Sequence, residues 1–247
     1  MSPTNKSAIS ESFNSVVDTF KAALNASKKN YKLLLLVMLF DVLFFIIYGF
    51  ITAGFFQNVS ESASQFIQAL MSQSPQTSSL FYSTLFYYFI FLILFYMVYS
   101  FMQGASWFFS YKIQGNKISY WSFFKLNLLW IPILSILVTF QYMRRIAGVL
   151  NNKNTDAGDY VFYAVMIILI YLMIISYSNN SFSIKKAIKK ENILFMIILI
   201  TLFAILNFIL QLTLTISYLT FILGLLTVIP LIAIARIVFV EINKDKD

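Results

Sequence analysis

One uninterrupted apolar run constrains this chain more than anything else in it. Residues Leu33 to Phe56 read LLLLVMLFDVLFFIIYGFITAGFF, entered from the basic step Lys28-Lys29-Asn30-Tyr31-Lys32. A bilayer-crossing helix needs about 20 apolar residues, and this run supplies them. Further runs follow it, and only 11% of the 247 residues are charged. Soluble domains carry about 25%. The bilayer is therefore the main solvent, and only helices or closed barrels satisfy their backbone groups there. Helical length and patterning select the first, so the expected fold is all-α and polytopic.

The N-terminal stretch prepares that first span. Ile9, Phe13, Val16, Val17, Phe20 and Leu24 fall on one face of an α-helix, with Glu11, Asp18 and Lys21 off the stripe. The spacing predicts an amphipathic helix over 9–29, basic at its C-terminal end. Two readings of its apolar face stay open: it lies on the inner membrane surface, or it packs on the protein's own bundle. No charged segment runs directly into a short apolar core near Met1, so the expectation is that 33–56 is an inserted span rather than a cleaved leader.

The remaining runs predict spans over about 81–111, 126–143, 160–177, 192–214 and 221–240. Between the first two, Ala63, Phe66, Ile67, Leu70 and Met71 repeat at helical spacing, which predicts a short interfacial helix ending at Pro75. Span two is long enough to tilt or to project beyond the hydrocarbon. The stretches Arg144–Asp159 and Thr215–Thr220 read as polar connections.

Charge orients the array. Fifteen of the 18 basic residues fall in the N-terminal segment, the second and fourth connections and the C-terminal end; only Arg144, Arg145 and Lys153 fall opposite. The positive-inside rule then predicts six spans in the cell membrane with both termini cytoplasmic. The same pattern explains the net charge of +8 without nucleic acid, and the partner it implies is a bilayer with an anionic inner leaflet. Protein partners or a second copy of the chain are also open.

Each lysine-rich segment before an outward span begins alike: Asp18-Thr19-Phe20-Lys21, then Ser119-Tyr120-Trp121-Ser122-Phe123-Phe124-Lys125, then Ser183-Ile184-Lys185-Lys186. The pattern suggests a unit of surface helix plus membrane hairpin used three times. The positive-inside rule alone gives lysines in the same places. Three of these segments carry a resemblance: Ser15-Val-Val-Asp-Thr-Phe-Lys-Ala-Ala-Leu, Gly115-Asn116-Lys117-Ile118-Ser119 and Ser183-Ile-Lys-Lys-Ala-Ile. They resemble uncharacterised multi-span proteins of bacteria and archaea, similar to the membrane domain fused to some glycerophosphodiester phosphodiesterases. The resemblance implies a membrane bundle. It carries no phosphodiesterase activity here, because the soluble catalytic domain is not in this sequence, and it transfers no functional residues.

The chemistry left to the chain is narrow. Without Cys or His there are no thiolates, no thiolate or imidazole metal ligands and no histidine general base. The Walker, GxSxG and HExxH patterns are absent. The expectation is no catalytic residues, no cofactor and no metal. Asp156 and Asp159 are weak cation ligands that read better as counter-charges to Arg144, Arg145 and Lys153.

What needs explaining is a small set of polar groups inside apolar runs. Asp41 is the one acid deep within a span, about 13 Å along the helix from Lys32. Arg236 lies at similar depth on the last span. The candidate intramembrane site is therefore Asp41 with Arg236, and with Asn207 and Gln211, which repeat toward Thr215 at helical spacing. An unpaired charge there is costly, so Asp41 and Arg236 are expected to pair. Ser135 with Thr139, and Tyr96, Tyr99, Ser100 and Gln103, read as interhelical hydrogen-bonding groups. Tyr82, Tyr111, Tyr160 and Tyr177 read as an interfacial belt. Two functions fit: a non-enzymatic structural or regulatory subunit of a membrane assembly, or a small transporter or channel with Asp41 at its centre.

Overall fold

The computed structural model describes residues 3–73, 75–150, 156–182, 184–212 and 217–244. All regular structure among them is helical: α1 (Pro3–Lys29), α2 (Tyr31–Ile51), a π-helical turn (Thr52–Phe56), α3 (Gln57–Met71), α4 (Thr77–Ile113), α5 (Trp121–Leu150), α6 (Asp156–Asn179), α7 (Ile184–Ala187), α8 (Lys190–Leu212) and α9 (Ser217–Ile242). Six segments are long and apolar enough to cross a membrane: Tyr31–Gly54, Thr77–Ile113, Trp121–Gln141, Gly158–Asn179, Lys190–Ile209 and Leu223–Ile242. The protein is an all-α, multi-pass bundle.

The spans form three hairpins: α2 with α4, α5 with α6, and α8 with α9. The first is the tallest. The spacing around Gly54 does not end the helix; the chain passes through one wide turn and continues as α3. Thr52 Oγ1 donates to the Tyr48 and Gly49 carbonyls at 2.9 and 3.0 Å, and Asn58 Nδ2 donates to the Gly54 carbonyl at 2.8 Å. These side-chain bonds flank the π turn, beside the backbone bond that Thr52 N–H already gives to the Tyr48 and Gly49 carbonyls. The expected interfacial helix is thus an extension of span one, held against α4 by contacts such as Phe66 on Phe81, with ring centroids 5.5 Å apart. No proline lies between Thr52 and Ser72, and α4 covers the flank of the helix there. At 37 residues α4 exceeds α5, with 30, by about 10 Å of helical rise.

The expected connection Arg144–Asp159 is also partly helical. α5 carries Arg144 and Arg145 as far as Leu150, and α6 starts at Asp156. Lys153 and Thr215 lie outside the described residues. Of the surface elements expected before outward spans, the first is the long α1 and the third the single turn α7. The second is not a separate helix: Ser119–Lys125 runs straight into α5, with Tyr120 packed between the Phe101, Phe108 and Phe124 rings.

α9 is the central post. Its consecutive residues Arg236, Ile237, Val238, Phe239 and Val240 are all buried, so every side of the helix is covered there. The cover comes from α1, α2, α4, α6 and α8. The outer helices instead expose apolar side chains such as Phe50, Phe89, Ile136, Val161 and Phe208. A soluble protein does not leave such surface uncovered, whereas a lipid solvent accommodates it.

Candidate functional site

α2, α4 and α9 meet around Asp41, the only acid inside the α2 span. Its neighbours Val37 and Phe44 on the same face are also buried, so the pattern that packs the helix turns the carboxylate inward. It is 1% exposed. Burying a lone carboxylate costs several kcal/mol or more, on the order of the Born penalty after relaxation, so partners must accompany it. They come from two other helices. Arg236 Nη1 donates to Asp41 Oδ2 at 2.6 Å. Ser106 Oγ donates to Asp41 Oδ1 at 3.0 Å, and Gln103 Nε2 reaches the same oxygen at 3.3 Å.

Gln103 closes the figure. Its Oε1 accepts from Arg236 Nη2 at 2.5 Å. An amide offers a donor and an acceptor on one rigid plane, so one side chain bonds the anion and the cation together. Asp41, Gln103 and Arg236 form a closed ring of hydrogen bonds joining three helices. Trp107, one position after Ser106, sets its ring 5.9 Å from Arg236 Cζ and so faces the cation with its π electrons. Tyr99 lies within electrostatic reach of both charges and of Tyr177.

α4 approaches closely because its inward side is built of small groups. Ser100, Gly104, Ala105, Ser106 and Ser110 are buried along it. A Cβ on Gly104 would stand 3.3 Å from Phe123 Cβ, so this position holds α5 near. Small residues serve membrane helices in this way because apolar side chains gain little by leaving apolar lipid.

A second polar layer lies nearer the lysine-rich end, where α2, α5 and α8 begin and α4, α6 and α9 finish. Each hairpin is clamped there by an asparagine at the start of its first helix. Asn30 Nδ2 donates to the Ile113 carbonyl at 3.2 Å. Asn127 Oδ1 accepts from the Tyr177 hydroxyl. Asn192 and Asn243 exchange hydrogen bonds at 2.9 and 3.0 Å. All three asparagines stand two positions after a lysine, as Lys28-Lys29-Asn30, Lys125-Leu126-Asn127 and Lys190-Glu191-Asn192.

The return helices are tied to each other at the same level. The Tyr111 hydroxyl donates to the Tyr177 carbonyl at 2.9 Å, and Asn243 Nδ2 to Ser178 Oγ at 3.0 Å. Lys189 Nζ donates to the Ile242 carbonyl at 2.6 Å, and Lys244 Nζ to the Gln114 carbonyl at 3.1 Å. Helix C-termini leave carbonyls without intrahelical donors, and a cation is well placed to bind them.

The candidate residues therefore separate. Asp41 and Arg236 meet. Asn207 is an exposed position of α8 and takes no part in the ring. Gln211 belongs to α8 near its end, but its side chain lies outside the described residues. Tyr82 and Tyr160 are exposed, as an interfacial belt requires, whereas Tyr111 and Tyr177 are buried and hydrogen-bonded, because their rings fill the junction of α4, α5 and α6. Of Ser135 and Thr139, the Thr139 hydroxyl joins helices by bonding the Tyr88 hydroxyl of α4, while Ser135 contributes its backbone carbonyl, which the Tyr88 hydroxyl reaches at 3.3 Å. Asp159 pairs with Arg144, to which Gln141 also bonds, and all three tie α5 to α6.

Among the described residues, no three His, Cys, Asp or Glu side chains come together as a metal site. The one acid of the ring faces the one base. Comparison with protein-family models, with curated proteins and with solved structures finds no match to this chain.

Proposed function

We propose that this chain is a non-enzymatic protein of the cell membrane, structural or regulatory in role, serving as a subunit of a membrane assembly. Its lysine-rich end and both termini face the cytoplasm, in keeping with the positive-inside rule. The observation that carries the reading is the closed ring of Asp41, Gln103 and Arg236. Both oxygens of Asp41 accept hydrogen bonds from neighbouring helices, and Asp41 is almost completely shielded. A carboxylate that relays protons or cations has to exchange partners with water or with a second acid, and Asp41 is instead committed to a fixed guanidinium. The resemblance to membrane domains that accompany a separate phosphodiesterase domain fits the same role, a bundle that serves a partner.

The test is reconstitution in proteoliposomes with proton- and cation-sensitive dyes, comparing the unaltered protein with Asp41→Asn. The expected result is no flux above empty vesicles for either, together with a loss of stability in the variant. Flux through the unaltered protein that vanishes in a still-folded Asp41→Asn would overturn the reading in favour of a transporter centred on Asp41.

A further inference from the structure

α1 presents two apolar stripes, one buried in the protein and one left partly open. Val16, Ala23 and Ser27, at steps of seven and four, are buried. These are small or slender side chains, and the helix packs with them against α8 and α9. Phe13, Val17, Phe20 and Leu24 follow at steps of four, three and four, which places a second stripe about 70° round the helix. Phe13 is 50% and Phe20 39% exposed. The largest apolar groups of the helix are thus the ones that the bundle leaves uncovered.

Charge is distributed around this second stripe in a definite order. At 100° per residue, Lys21 and Lys28 border it on the side away from the bundle, while Glu11 and Asp18 fall on the remaining face. Lys29 falls on the same face as the acids, and Lys32 follows in the first turn of α2. An aromatic stripe edged by Lys28 and by Lys21, whose exposed ammonium also lies 3.8 Å from Asp18, matches a membrane surface with anionic headgroups. The short junction at Asn30, whose Nδ2 also caps the Ala26 carbonyl at 3.1 Å, holds α1 beside the first span.

We propose that α1 is an in-plane membrane helix. It is seated on α8 and α9 by Val16, Ala23 and Ser27, and it inserts Phe13 and Phe20, beside the half-buried Val17 and Leu24, into an anionic phospholipid surface. This inference does not depend on the role proposed for the ring.

The chain has no cysteine, so single cysteines can be introduced into the full protein without background. Phe20→Cys and Glu11→Cys, each carrying a nitroxide, are reconstituted in phosphatidylcholine vesicles with and without phosphatidylglycerol. Circular dichroism and a monodisperse gel-filtration peak establish folding. Collision with dissolved oxygen is then compared with collision with a water-soluble nickel chelate. In phosphatidylglycerol-containing vesicles the Phe20 label should favour oxygen severalfold and the Glu11 label should favour the chelate. In pure phosphatidylcholine the preference at Phe20 should shrink. A Phe20 label open to the chelate in a folded protein would overturn the insertion. A label shielded from both reagents would assign the stripe to a protein partner or second copy. Equal insertion in both vesicle types would overturn the requirement for anionic lipid.

Discussion

Arg236 Nη1 stands 2.6 Å from Asp41 Oδ2, although 195 positions separate the two residues in the chain. The pair joins the first span to the last and closes the bundle. Its two halves are not equivalent on removal. A carboxyl left alone can take up a proton and become neutral, whereas a guanidinium cannot shed one. Asp41→Asn should therefore destabilise by about 3–5 kcal/mol, the range for a buried charge stripped of its partner. Arg236→Leu should cost less, about 1–3 kcal/mol, because the acid it strands can be neutralised. Thermal unfolding in the same detergent checks the order; equal losses would show that neither charge is stranded.

Gln103 tests whether the ring acts as a unit. Gln103→Leu keeps the volume but leaves one oxygen of Asp41 and one nitrogen of Arg236 without their amide. A loss of about 1–3 kcal/mol is expected, the cost of leaving buried polar groups unsatisfied. Gln103→Asn should fall short of both charges and lose nearly as much. An unchanged unfolding temperature for Gln103→Leu would mean that the ion pair stands alone.

The reciprocal amides of Asn192 and Asn243 close the third hairpin. A double-mutant cycle with Asn192→Ala and Asn243→Ala should return a coupling of about 0.6–1.7 kcal/mol, the range for hydrogen bonds between membrane helices. Additive losses would place the two side chains apart in the membrane.

Gly158 borders the guanidinium of Arg144, and a Cβ there would collide with it. The obstacle is the far end of a flexible side chain, and the Arg144–Asp159 pair is partly exposed. Gly158→Ala should thus cost less than about 1 kcal/mol, in the range of an exposed ion pair. Adding Arg144→Ala should cost little more, since the first change already displaces the arginine. Chemical denaturation of the single and double variants gives the comparison.

The six spans and the meeting of Asp41 with Arg236 were legible because the bilayer imposes strong rules. A span has a minimum length, and a charge at depth needs a partner at similar depth. Gln103 was visible only as one of several polar groups on α4. That it bridges both charges depends on the rotation of α4 against α2 and α9, the same rotation that brings Ser106 to Asp41. The continuation of α2 into α3 was hidden because Gly54 and a polar Gln57–Asn58 step resemble a helix end, while the packing that sustains the helix comes from α4. Asn207 joined the candidates only by its helical spacing with Gln211 and Thr215. In an apolar span nothing in the polarity pattern tells which side faces protein and which faces lipid. The three asparagine clamps did leave a trace, the Lys-x-Asn step before each outward span, which stands out only once each asparagine is seen bonding its return helix.

Asp41 and Arg236 act on each other as a fastener between the first and last spans. The most direct test is the unfolding temperature of the double variant Asp41→Asn/Arg236→Gln, reconstituted beside each single variant. The double variant should recover most of the stability lost by Asp41→Asn, because it no longer strands a charge and its two amides can bond in place of the ion pair. A double variant as unstable as the sum of its singles would contradict this role.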